Sequence, residues 1–122
     1  MRLFHPIVAA VPLAAAVCAF ASPPAEDGRR IFDGKCRMCH SIEPGAKGGI
    51  GPNLRGVGGR AAGSTAYAYS PALRKAGVRW DAASLDRFLA APTRMVPGTR
   101  MAVAVPDPAQ REAVVRYLLE LN

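Results

Sequence analysis

Apolar positions recur at helical spacing in three stretches of the chain. From Ala25 to Met38, Ile31 and Phe32 share one face and charged residues occupy the other, which predicts an amphipathic helix. Asp81 is suited to cap a helix N-terminus, and Leu85, Phe88 and Leu89 after it predict a second helix with that face turned inward. Val114, Tyr117, Leu118 and Leu121 predict a third helix over Pro108 to Leu121. No segment alternates long enough to read as a strand, and neither an internal repeat nor a low-complexity tail occurs. Gly45 to Gly63, between the first two helices, is rich in glycine, and so long a loop is a liability in a small domain unless it wraps a ligand.

The N-terminal pattern is of another kind. Ile7 to Phe20 is an apolar run broken only by Pro12, preceded by Arg2 and followed by Ala19-Phe20-Ala21, a small-x-small cleavage pattern. Residues 1–21 therefore read as a secretory signal peptide and residues 22–122 as one domain. A membrane anchor would need about 18 or more uninterrupted apolar residues, so no stable membrane insertion is expected after cleavage. A lipoprotein site at Cys18 is disfavoured by Val17, where a small residue is required.

With 122 residues, half of them hydrophobic, the chain is sized for one globular domain. Aromatics at 7 %, with 12 Gly and 11 Pro, leave too few large side chains for a generous core, so something else is expected to fill the centre. The net charge of +7 calls for an acidic partner surface. Nucleic acid is not expected, because the arginines are scattered and export argues against it. Gly56-Val57-Gly58-Gly59-Arg60-Ala61 fits a relaxed dinucleotide-binding pattern, but without a preceding strand the match is coincidence.

Removing the leader also removes His5 and Cys18. The remaining cysteines and histidine all lie in Cys36-Arg37-Met38-Cys39-His40. Structural zinc wants four Cys or His ligands, more than the domain owns. A thioredoxin-like pair wants a βαβ context, which is missing. A disulfide across three residues constrains little and leaves His40 unexplained. Covalent haem attachment remains, with both thiols forming thioethers to one porphyrin and His40 reaching the iron. The opposite axial position decides between carrier and catalyst. Met38 lies inside the attachment loop and cannot reach round, which leaves Met95 and Met101. Pro97-Gly98 forces a turn able to aim Met101 inward, while Met95 fits a short helical turn; either can also serve as core packing.

These residues, with Gly51-Pro52-Asn53-Leu54, Gly59-Arg60, Tyr67-Ala68-Tyr69, Trp80 and Pro97-Gly98-Thr99-Arg100-Met101, resemble those of class I c-type cytochromes over residues 25 to 121. The resemblance implies a small all-α domain of three main helices, short helical turns and Gly-rich loops around one haem c attached through Cys36 and Cys39. It implies His40 and Met101 as axial ligands, with Met95 a bystander. It gives Pro52 the role of accepting a hydrogen bond from the proximal imidazole, and Arg60, Tyr67, Tyr69 and Trp80 the role of donors around a buried haem propionate. It also packs Gly28 and Phe32 against Val114 and Tyr117. Three positions depart from the family. Phe88 replaces a tyrosine that can bond the methionine sulfur, Leu73 replaces an asparagine, and Gly48 replaces a histidine that bridges two loops. A drier distal side and a more mobile glycine-rich loop are the expected consequences.

A six-coordinate iron has no open site, so one-electron shuttling is expected, with no enzymatic activity. Lys35, Arg37, Lys47, Arg94 and Arg100 are expected to frame an exposed haem edge and steer a monomeric carrier to acidic docking surfaces. The implied partners are an oxidase, a cytochrome bc1-type complex or a dehydrogenase, in the periplasm. The competing readings are a haem enzyme or gas sensor with a labile Met101, and an electron-accepting dehydrogenase subunit.

Overall fold

The computed structural model describes residues 24–122, so the expected leader lies outside the described residues. Five helices occur there: α1 (Pro24–Lys35), α2 (Pro71–Arg74), α3 (Ala82–Ala90), α4 (Pro92–Met95) and α5 (Pro108–Leu119). The described residues contain no strand, only an isolated antiparallel bridge between Ala61 and Arg79. The domain is all-α, as its apolar spacing predicts.

α1 ends at Lys35, three residues before the predicted Met38. The Arg37 N–H reaches back five residues to the Phe32 carbonyl at 3.0 Å, a widened last turn that hands the chain to a separate turn over residues 36–39. α3 begins where its cap predicts: the Asp81 carboxylate accepts from the Ser84 N–H at 2.8 Å, and the Asp81 N–H donates to Ser84 Oγ at 2.9 Å. Hydrogen bonds from the Ser84 backbone N–H and then its side chain hold the Asp81 carboxyl below its ordinary range. α5 starts with Pro108 behind the Asp107 cap and ends at Leu119, two residues short of the predicted Leu121.

α1 and α5 pack face to face. Phe32 and Val114 are fully buried, and the Phe32 and Tyr117 rings lie 5.5 Å apart. Gly28 makes this approach possible, since a Cβ there would overlap the Ala113 carbonyl oxygen and lie 2.7 Å from Tyr117 Cβ. α3 joins α5 through the Arg111 guanidinium, which pairs with Asp86 at 2.6 Å and donates to the Val105 and Pro106 carbonyls at 3.1 Å. The segment before α5 is thereby fixed over α3, and the Val105 N–H donates to the Leu89 carbonyl at 2.8 Å.

In most exposed helices Gly→Ala stabilises, by up to about 1 kcal/mol. Gly28→Ala is expected to do the reverse and destabilise the haem-loaded protein by about 1–3 kcal/mol through overpacking. Urea unfolding followed by helix circular dichroism checks this, and an unchanged or raised midpoint contradicts the packing argument.

Candidate functional site

The helices surround a cavity of about 510 Å³. Packed protein interiors leave few voids larger than a water molecule, so this space is shaped to hold a resident group. Leu73 of α2, Leu85, Phe88 and Leu89 of α3, and Leu118 of α5 supply its apolar wall. Cys36, Cys39, His40 and Met101 all line it, as do Pro52, Arg60, Tyr67, Tyr69 and Trp80. Met95 closes α4 and packs on the core without lining the cavity. Met38 is 87 % exposed.

The attachment turn is set by local bonds: the Cys39 and His40 N–H groups both donate to the Cys36 carbonyl at 3.0 Å. Cys36 and Cys39 are free thiols. Burial pushes the thiol of Cys36 up to about 11, with Lys35 pulling the other way. His40 Nδ1 lies 2.7 Å from the Pro52 carbonyl oxygen. Burial lowers the His40 pKa, against a rise from that carbonyl, and favours the neutral ring. A neutral ring donating Nδ1–H to Pro52 keeps a lone pair on Nε2. Gly51 lets the backbone lie against the ring, since a Cβ there would be 2.8 Å from Nδ1 and 2.9 Å from Nε2.

A further part of the lining is carried by the turn after α4. Gly98, at φ 92°, adopts a backbone conformation that L side chains rarely take, and a Cβ there would also be 3.0 Å from Ala72. The Thr99 N–H closes the turn on the Val96 carbonyl at 3.0 Å, and Met101 follows it into the cavity wall.

The polar groups expected around a propionate line the cavity, but several already have protein partners. Arg60 donates to the Arg55 and Asn53 carbonyls at 3.2 and 3.1 Å, Tyr67 donates to the Ile50 carbonyl, and the Tyr69 hydroxyl meets Thr65 Oγ1 at 2.5 Å. Trp80 packs on Phe88 with ring centroids 5.0 Å apart. Gly48 is crowded: a Cβ there would lie 2.5 Å from the Gly51 carbonyl oxygen and 3.0 Å from Tyr67 Cδ2. Close backbone packing thus stands where the family's histidine would bridge two loops.

Sequence reasoning missed Ser70 and Thr99, hydroxyl-bearing residues of the cavity lining, and the lips Ile50 and Val103, which are 75 % and 51 % exposed. Ser70 was detectable: a serine directly before proline marks a helix start, and Ser70 caps α2 by accepting from the Leu73 N–H at 3.1 Å. Of the five cations expected at the rim, Lys35 and Arg100 line the cavity. Arg37 and Lys47 line a shallower depression of about 350 Å³ beside Cys39 and His40, and Arg94 lies on α4 away from the cavity lining.

The donor set fits a haem: paired thiols at one rim, a nitrogen and a thioether lining the same space, and an apolar wall for the macrocycle. Among the described residues no three His, Cys, Asp or Glu side chains gather into a metal-ion site. The sequence agrees at every scale of comparison. A sequence model described as cytochrome c matches residues 25–122. A cytochrome c2 of Rhodoblastus acidophilus is 43 % identical over 97 residues, covering 78 % of this chain and 90 % of that one. A cytochrome c of Guizotia abyssinica is 40 % identical over 104 residues, covering 81 % of this chain and 94 % of its own. The solved structure of cytochrome cH from Methylobacterium extorquens superposes with a TM-score of 0.71 at 41 % identity, covering 77 % of this chain and 95 % of that one. The chain belongs to the cytochrome c family, whose members carry one covalently attached haem c and serve electron transport.

Proposed function

We propose that residues 22–122 are a periplasmic one-electron carrier, exported by a cleaved leader spanning residues 1–21, with haem c joined to Cys36 and Cys39 and held axially by His40 and Met101. The observation that carries the reading is the shared cavity: both thiols, His40 and Met101 line one apolar space of about 510 Å³. Haem c supplies a reversible one-electron change at iron when bound. Cys36 and Cys39 fix the group against loss, and the Pro52 carbonyl orients His40 so that Nε2 is the ligating nitrogen. Met101 contributes a neutral, soft sulfur that favours the reduced state. Leu73, Phe88 and Leu85 give the cavity an apolar wall that disfavours water, and His40 and Met101 together would leave the iron no open site for a substrate.

Exchange with partners takes place where the cavity meets solvent. Ile50 and Val103 offer exposed apolar lips there, and Lys35 and Arg100 line the same cavity. The sequence has no acidic residue between Glu43 and Asp81 or between Asp86 and Asp107, so Lys47, Arg94 and Arg100 lie in chain segments free of compensating charge. Such a rim suits short-lived docking to acidic faces of an oxidase, a bc1-type complex or a dehydrogenase.

Met101→Ala tests the ligation. The ferric variant is expected to lose the sulfur-to-iron charge-transfer band, and its midpoint potential is expected to fall by a sizeable part of the about 0.8 V over which axial ligands tune haem. The reduced variant should bind carbon monoxide rapidly while the parent does not. A parent that binds carbon monoxide as fast as the variant contradicts Met101 ligation and favours an enzyme or sensor. For docking, electron transfer to an acidic redox partner should slow by about tenfold or more from low to physiological ionic strength. Stopped-flow rates that ignore salt would exclude electrostatic steering.

A further inference from the structure

Tyr67 and Gly48 make contacts for which the carrier reading has no use. The Tyr67 hydroxyl donates to the Ile50 carbonyl. Its ring packs on Gly48, where a Cβ would lie 3.0 Å from Tyr67 Cδ2, 2.9 Å from Pro52 Cα and 2.5 Å from the Gly51 carbonyl oxygen. The next two residues are held just as closely: the Gly51 N–H donates to the Cys39 carbonyl at 2.8 Å, and the Pro52 carbonyl lies 2.7 Å from His40 Nδ1. Each residue from Ile50 to Pro52 thus has one backbone group held. Two of the partners come from the attachment turn itself, and Tyr67 supplies the third from elsewhere in the chain.

We propose that Tyr67 is a positioning residue for the His40–Pro52 hydrogen bond. Its hydroxyl on Ile50 and its ring on Gly48 fix the backbone of residues 50–52, and so the direction of the Pro52 carbonyl. This rests on His40 being the proximal ligand. A carbonyl that accepts Nδ1–H makes the imidazole a stronger electron donor and stabilises the oxidised iron. Loosening that carbonyl raises the midpoint potential. Gly48 belongs to the same device, since any side chain there would push Gly51 and Pro52 away from Tyr67. The tyrosine hydroxyl has a single hydrogen, and while it is given to Ile50 it is not given to a propionate. The two roles for Tyr67 therefore compete.

Haem-loaded Tyr67→Phe separates them, because it keeps the ring and removes only the hydroxyl. In the ferrous protein, exchange of the His40 Nδ1–H proton followed by NMR should quicken by about fivefold or more, the scale of one lost hydrogen bond. The reduction equilibrium should shift about threefold toward the ferrous state, a rise of about 28 mV at 59 mV per tenfold. Gly48→Ala keeps the hydroxyl and should move both readouts the same way. Unchanged Nδ1–H exchange in Tyr67→Phe overturns the proposal, whatever the potential does. A potential shift that varies with pH while that proton stays protected would assign the hydroxyl to a haem carboxylate instead. An ordinary charge-transfer band in the parent keeps the ligation reading standing in either case.

Discussion

The constraint on which this fold depends is that its apolar faces meet around a space rather than only on one another. Leu73 from α2, Leu85, Phe88 and Leu89 from α3, and Leu118 from α5 converge on one cavity, and α1 delivers Cys36 to its rim. The α1–α5 pair, joined through Gly28, Phe32, Val114 and Tyr117, closes directly, and α3 is tied to α5 through Asp86 and Arg111. A chain so poor in aromatics has little to spend on a self-contained core. A flat, apolar group tethered at the rim resolves that shortage, because its two faces supply the contact area that side chains do not.

What could be read from the sequence, and what could not, follows the distance over which each feature is determined. The faces of α3 and α5 are set by residues three and four apart, and Asp81 announces the start of α3, so these helices were legible. The paired thiols and His40 were legible for the same reason, since five consecutive residues carry the chemistry. The end of α1 was not, because Cys36-Arg37-Met38 has nothing against helix, and what stops it is the turn built for the cavity. On chemistry alone the Pro97-Gly98 turn favoured Met101 over Met95 only modestly; resemblance to a family gave Met101 its role, and the structure has Met101 and not Met95 lining the cavity. The partners of Arg60 and Tyr67 were illegible: Tyr67 bonds a carbonyl seventeen residues away, a relation that no local pattern encodes.

Of the three departures from the family, Phe88 and Leu73 line this cavity and Gly48 does not. Phe88 and Leu73 are apolar members of the lining that Met101 also joins. At Gly48 a close backbone approach to Gly51 and Tyr67 takes the place of a side chain. The first two belong to the cavity wall and the third to the packing of the segment that carries Pro52, while Cys36, Cys39, His40 and Met101 keep the family's pattern. Family membership thus constrains the chemistry closely while leaving the potential to be set by these neighbours.

The claim that the cavity holds a covalently bound haem is tested most directly by intact mass. The chain should be exported by a bacterium able to attach haem, purified, and weighed under acid-denaturing conditions that strip any loosely held porphyrin. The account predicts residues 22–122 plus the mass of one haem. A coloured protein whose denatured polypeptide weighs only what its residues weigh, or a colourless one, would contradict it.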